Sequence, residues 1–98
     1  MVKHVVCFRM KDGCSAEEAK KMLLSMRGRE ETALHVEVGI DALHSPRSYD
    51  LVLIVTLADM AALERYQTAG YHAHTVKPYM HSVTETSRSV SVDFETEE

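Results

Sequence analysis

The run Leu51-Val52-Leu53-Ile54-Val55-Thr56-Leu57 is apolar at odd and even positions alike. No other segment constrains the fold as much. Read as a strand, it sends successive side chains to opposite faces of a sheet, so both faces carry hydrocarbon and both need cover. The 98-residue chain is long enough for one modest core, which predicts a single domain over 1–98 with a solvated acidic tail from about 96. One face of the strand can be covered from within such a domain. The other is an expected interface.

The flanking segments say what supplies the internal cover. Val2, His4, Val6, Phe8 and Met10 alternate with Lys3, Val5, Cys7 and Arg9, a first strand. After the turn chemistry of Lys11-Asp12-Gly13, Ser15 and Glu18 fit a capping box. Ala16, Ala19, Met22, Leu23 and Met26 follow at helical spacing, which predicts a helix over about 15–30. Leu34, Val36, Val38, Ile40 and Ala42 alternate as a second strand, broken at Ser45-Pro46. Beyond the apolar third strand, Asp59 can cap a helix over about 60–68 with Ala62, Leu63 and Tyr66 inward. A further helical turn or two over Tyr71 to Tyr79 is expected to stop near Pro78. A last strand is expected from about His81 to Glu95, clearest where Val90, Val92 and Phe94 alternate with polar residues.

The order β-α-β-β-α-β predicts an α+β, ferredoxin-like split β-α-β fold: a four-stranded antiparallel sheet with its helices on one face. The uncovered face would expose some of Val5, Cys7, Val52 and Ile54. A homodimer packed sheet against sheet would bury it in both copies.

Composition removes several function classes. With 45% hydrophobic and 27% charged residues, the chain is neither low-complexity nor disordered. Eleven Lys+Arg against fifteen Asp+Glu, a net charge of −4, offers nothing to a phosphate backbone, so no nucleic-acid partner is expected. No apolar window is long enough to span a membrane. Cys7 and Cys14 are too few for a disulfide scaffold and form no Cys-x-x-Cys pair, so both are expected as free thiols in a cytoplasmic setting.

The segments Met1 to Gly13, Tyr49 to Leu53, Ala62 to Gln67, His74 to Tyr79 and Val90 to Glu95 together resemble the stress-responsive dimeric α/β-barrel (Dabb) domains. The resemblance implies a dimeric ferredoxin-like α/β barrel. It leaves the activity open, since most of the family has none assigned and a few members, such as a plant polyketide cyclase, are catalysts. The family usually carries His-Pro-x-His before its late helix. Here the four positions ending at His74 read Tyr71-His72-Ala73-His74, with Tyr66 eight residues before His74, two more than the family spacing. A two-residue insertion around Thr68-Ala69-Gly70 accounts for that alignment.

Six histidines are many for this length. His4 shares a face with Val6 and Phe8, where an imidazole is either a satisfied core group or part of a site. His72 and His74, two apart, would point the same way on an extended segment and diverge on a helix. No third residue has helpful spacing, so neither a metal nor another cofactor is expected. The resemblance supplies acid–base roles: His74 as catalytic base and Tyr66 as hydrogen-bond donor to a developing enolate. The expected ligand pocket lies between sheet and helices, lined by His4, Val6, Phe8, Tyr71 and Tyr79. Three functional readings follow. The chain is a small-molecule-binding dimer of unassigned activity, a cofactor-independent cyclase, isomerase or lyase, or an enzyme similar to antibiotic-biosynthesis monooxygenases.

Overall fold

The computed structural model describes residues 1–97; Glu98, the end of the expected acidic tail, lies outside the described residues. Strands β1 (Val2–Phe8), β2 (His35–Ile40), β3 (Leu51–Leu57) and β4 (Val90–Glu95) form one sheet. It is antiparallel throughout, in the order β2-β3-β1-β4. Helices α1 (Ala16–Leu24), α2 (Met60–Thr68) and α3 (Lys77–Val83) accompany it, and a π-helical turn, His72–Val76, leads into α3.

Register decides which side chains meet the helices. Val2, His4, Val6 and Phe8 of β1 sit opposite Leu57, Val55, Leu53 and Leu51 of β3. These odd-numbered β3 residues are all buried, with Val36 and Val38 of β2 beside them. Ala19, Leu23 and Met26 above, with Ala62, Leu63, Tyr66, Val76 and Met80, close the core. The opposite face carries Val5, Val52 and Ile54, only partly buried. Beside them Val90, Val92 and Phe94 of β4 are 50%, 62% and 45% exposed. The fully apolar third strand thus has one face in the core and one in an uncovered apolar patch. Cys7 and Cys14 are both free.

The helix starts follow their side-chain chemistry. The Ser15 Oγ accepts the Glu18 N–H at 3.1 Å, and the Asp59 Oδ1 accepts the Ala62 N–H at 2.8 Å. Only half of the capping box forms, because the Glu18 carboxylate turns to Lys21 Nζ at 3.5 Å. Helix α1 ends at Leu24, where Ser25 folds its hydroxyl onto the Met22 carbonyl and the chain continues as turns.

The segment after α2 departs from expectation. Pro78 does not stop a helix. It sits in the first turn of α3, where a missing N–H is tolerated, and Lys77 before it stays helical (φ −60°, ψ −48°). His81 is accordingly in α3, and the last strand begins only at Val90. What lies between is tied down by backbone bonds, Lys11 N–H to Val83 O at 2.9 Å and Glu85 N–H to Arg9 O at 2.8 Å.

Replacing Leu57, fully buried opposite Val2, by Ala should cost about 2–5 kcal/mol, read as a lower urea midpoint at unchanged slope.

Candidate functional site

A cavity of about 170 Å³ opens between the sheet and α3. Its apolar walls are Val6 and Phe8 of β1, Leu53 of β3, Leu23 of α1 and Met80 of α3. His4, buried, and His72, half-buried, supply polar groups, while Gln67, Lys77 and His81 contribute from the helices. Such apolar walls with a few convergent polar groups are the usual make-up of a small-molecule site.

His4 is 6% exposed and lies directly across from Asp93 in the β1–β4 ladder. Both side chains rise on the helix side, and the His4 Nδ1 is hydrogen-bonded to the Asp93 Oδ1. The carboxylate accepts, so Nδ1 carries a proton, and in the neutral ring Nε2 presents a lone pair. Asp93 retains an opening to solvent, with 30% of its side chain exposed.

His72 is held from three sides. Its ring stacks on Tyr66 at 3.9 Å between centroids with 9° between planes. Its Nδ1 lies 2.9 Å from the Tyr66 carbonyl oxygen, which can only accept, so Nδ1–H is the tautomer. Its backbone N–H donates to Glu30 Oε1 at 2.7 Å. Burial depresses the imidazole to a pKa of about 4, outweighing the raising effect of the Tyr66 carbonyl bond. His72 is therefore neutral at pH 7. Neither His4 nor His72 has a protein partner for its Nε2 among the described residues.

Tyr66 is fully buried between the two imidazoles, edge-on to His4 at 5.5 Å and 65°. Its hydroxyl leaves the cavity and points to Met26 Sδ at 3.7 Å. Burial, with the Glu30 charge adding to it, pushes its pKa well up. The expected role as donor to a cavity ligand does not fit this placement. Nor does the cavity role of His74, which is exposed and lies outside the lining. The reason is the helical backbone of the turn: residues two apart diverge, so His72 turns in and His74 out. His72 follows Tyr66 by six residues, the family spacing, so no insertion is needed; Ala69 and Gly70 stand where the motif has its first His and Pro.

Of the other expected lining residues, the structure brings His4, Val6 and Phe8 together. Tyr71 and Tyr79 pack against the core instead. The Tyr71 hydroxyl bonds Ser25 Oγ at 2.7 Å, and the Arg29 guanidinium lies 5.8 Å from its ring. Asp93, Gln67, Lys77 and His81 were not among the expected site residues. Lys77 and His81 share a helix face by their four-residue spacing, a signal open to view once α3 is assigned. No group of three or more His, Cys, Asp or Glu able to hold a metal occurs among the described residues. No helix among them is long and apolar enough to cross a membrane.

The fold defines an α+β, ferredoxin-like protein with a cavity under its late helix. The model of the stress responsive A/B barrel domain matches residues 2–96, and the chain belongs to that family. No curated protein matches it in sequence. The fold is similar to that of At3g17210 from Arabidopsis thaliana (TM-score 0.76, 18% identity, 100% of this chain and 97% of that one). It is also similar to a dimeric ferredoxin-like protein of unknown function from Bacteroides fragilis (0.74, 19%, 97% and 95%). A third similar structure is the hydroxynitrile lyase from Passiflora edulis (0.72, 16%, 99% and 94%). At these identities the likeness is one of fold.

The depressed His72 pKa has a consequence for stability. The unfolded chain binds a proton at His72 below about pH 6.5, whereas the folded chain resists it until about pH 4. Stability is therefore unaffected above pH 6.5, declines as the pH falls from 6.5 to 4, and levels off below. The loss reaches at most about 3 kcal/mol. His72→Phe, which keeps a stacked ring, should flatten this part of the Tm-against-pH curve.

Proposed function

We propose that the chain binds a small, single-ring-sized molecule in the cavity and moves a proton on it through His4. The observation that carries this is the hydrogen bond between His4 of the cavity wall and Asp93 behind it. A cavity of about 150 Å³ admits one benzene ring, and the volume here is about 170 Å³. Asp93 fixes the His4 tautomer and stabilises the imidazolium that forms when Nε2 takes a proton, the orienting role of an acid beside a general base. His72, neutral and with its own Nδ1–H engaged, accepts a hydrogen bond from a ligand hydroxyl through Nε2. The substrate class that fits is a carbonyl compound with an acidic neighbouring C–H. The chemistry is of the cyclase, isomerase or lyase kind, without a cofactor, with His4 rather than His74 as the base.

The measurement is α-proton exchange into D₂O of phenylacetaldehyde, a single-ring activated carbonyl. His4→Ala should slow the protein-dependent rate by about 10²-fold or more. Asp93→Asn should slow it too, by leaving the tautomer unset. His74→Ala should leave it unchanged. A His4→Ala variant as fast as the parent overturns the proposal.

The uncovered sheet face supports a second part of this reading: a homodimer. The dimeric Bacteroides fragilis neighbour shares the fold, and the patch of Val5, Val52, Ile54, Val90, Val92 and Phe94 is apolar enough to need a partner of its own kind. Light scattering should give about 22 kDa, twice the 11.0 kDa chain mass. Val92→Asp combined with Phe94→Asp should shift the mass to that of one chain, since an unpaired buried charge is costly.

A further inference from the structure

Glu30 is the one acidic residue in the buried set, 5% exposed, and it has no cationic partner among the described residues. It lies in the loop after α1, away from the cavity lining. Burying a carboxylate is expensive unless donors replace its water. Three do. Thr32 gives its N–H at 3.2 Å and its hydroxyl at 2.7 Å to Oε2, and the His72 N–H reaches Oε1 at 2.7 Å. The Thr32 bonds are local and hold the carboxylate in place. The third crosses 42 residues to the first residue of the π-helical turn.

The backbone turns sharply beside this carboxylate. Gly70 has φ +84°, a conformation L side chains rarely adopt, and a Cβ there would stand 3.4 Å from Glu30 Oε1 and 3.5 Å from Oε2. Among the described residues, the aromatic stack and the hydrogen bond of the His72 ring both come from Tyr66, through its face and its Nδ1. Both of those contacts come from α2. Tyr71, the preceding residue, is tied to Ser25 on the α1 side; the Glu30 bond fixes the His72 backbone itself, against a rotation of the π-helical turn that would break the Nδ1 bond and release the ring.

We propose that Glu30 is the positioning residue of the cavity. It holds the His72 backbone from the α1 side and so keeps the imidazole in the tautomer that leaves Nε2 open to a ligand. The proposal rests on the reading of the cavity as a ligand site with His72 as acceptor. It is tested by a property of His72 that exists without ligand.

The experiment is ¹⁵N NMR of the His72 imidazole together with amide hydrogen exchange, on the full chain. The parent protein should show the Nδ1–H tautomer and a protected His72 amide. Glu30→Gln, whose amide oxygen accepts the same bond, should keep the tautomer while the His72 amide proton moves upfield on loss of the charged acceptor. Glu30→Ala should populate both tautomers and reduce His72 amide protection by about tenfold or more. Leu57→Ala, which weakens the core elsewhere, should leave the tautomer as in the parent. An unchanged tautomer in folded Glu30→Ala, or a changed one in Leu57→Ala, overturns the proposal. Should Glu30→Ala fail to fold, the other two proteins decide. A His72 amide that exchanges freely in the parent, or does not move in Glu30→Gln, overturns it as well. Loss of phenylacetaldehyde exchange in Glu30→Ala, with the parent active, adds support. A parent that neither binds nor exchanges the compound overturns the cavity reading on which this one rests.

Discussion

The antiparallel pairing of β1 with both β3 and β4 is the constraint from which the rest follows. Because β1 is central, Val2, His4 and Val6 are each bracketed on the helix side by a β3 residue and a β4 residue. At His4 those neighbours are Val55, fully buried, and Asp93, which keeps contact with water. One step of register in β4 would turn Asp93 to the opposite face and place an apolar side chain against the imidazole. A buried histidine would then have lost its carboxylate. The ladder thus determines the chemistry available at position 4 as well as the packing around it.

The second layer is a stack of rings rather than a network of ion pairs. Tyr66 fills the space between His4 and His72 and contributes a face to one and an edge region to the other. The two imidazoles are kept apart by an aromatic side chain whose own hydroxyl is engaged elsewhere. Aromatic contacts of this kind add modestly to the area they bury, but they restrict ring orientation. Here the orientation matters more than the energy. Each histidine has its Nδ1 committed to an oxygen, and the geometry leaves the same nitrogen, Nε2, uncommitted on both.

Much of this fold was legible in the residues. Period-two alternation located β1 and β2, the continuous apolar run located β3, and the Asp59 cap with its following apolar spacing located α2. The apolar character of Val52 and Ile54 pointed to an uncovered face that the structure shows. The late helix was misread because Pro78 suggests an ending, whereas its position in a first turn makes it compatible with continuation. The candidate site was legible only in part. His4, Val6 and Phe8 could be assigned to one face from alternation alone. Asp93 could not be joined to His4, because partners 89 residues apart meet only through register, which period-two patterns leave open. His72 was obscured by aligning the motif on His74; the six-residue distance from Tyr66 is the signal that selects it. Glu30 had no signal at all, since an acid in a charged loop looks like any solvated one.

The π-helical turn has a geometric effect beyond directing His72 inward. In an α-helix, residues four apart lie one above the other, while a π turn closes on the fifth. The Lys77 N–H bonds the His72 carbonyl across that wider turn, and both residues line the cavity. From Lys77 the α-helical repeat resumes and brings His81 onto the same wall. The extra residue therefore acts as a phase shifter between two helical segments, aligning an imidazole set by α2 with a face set by α3. Removing one residue from Ala73–Thr75 would leave a passable α-helix and put the two halves out of phase. In this chain, the length of that turn is as much a determinant of the cavity as any side chain in it.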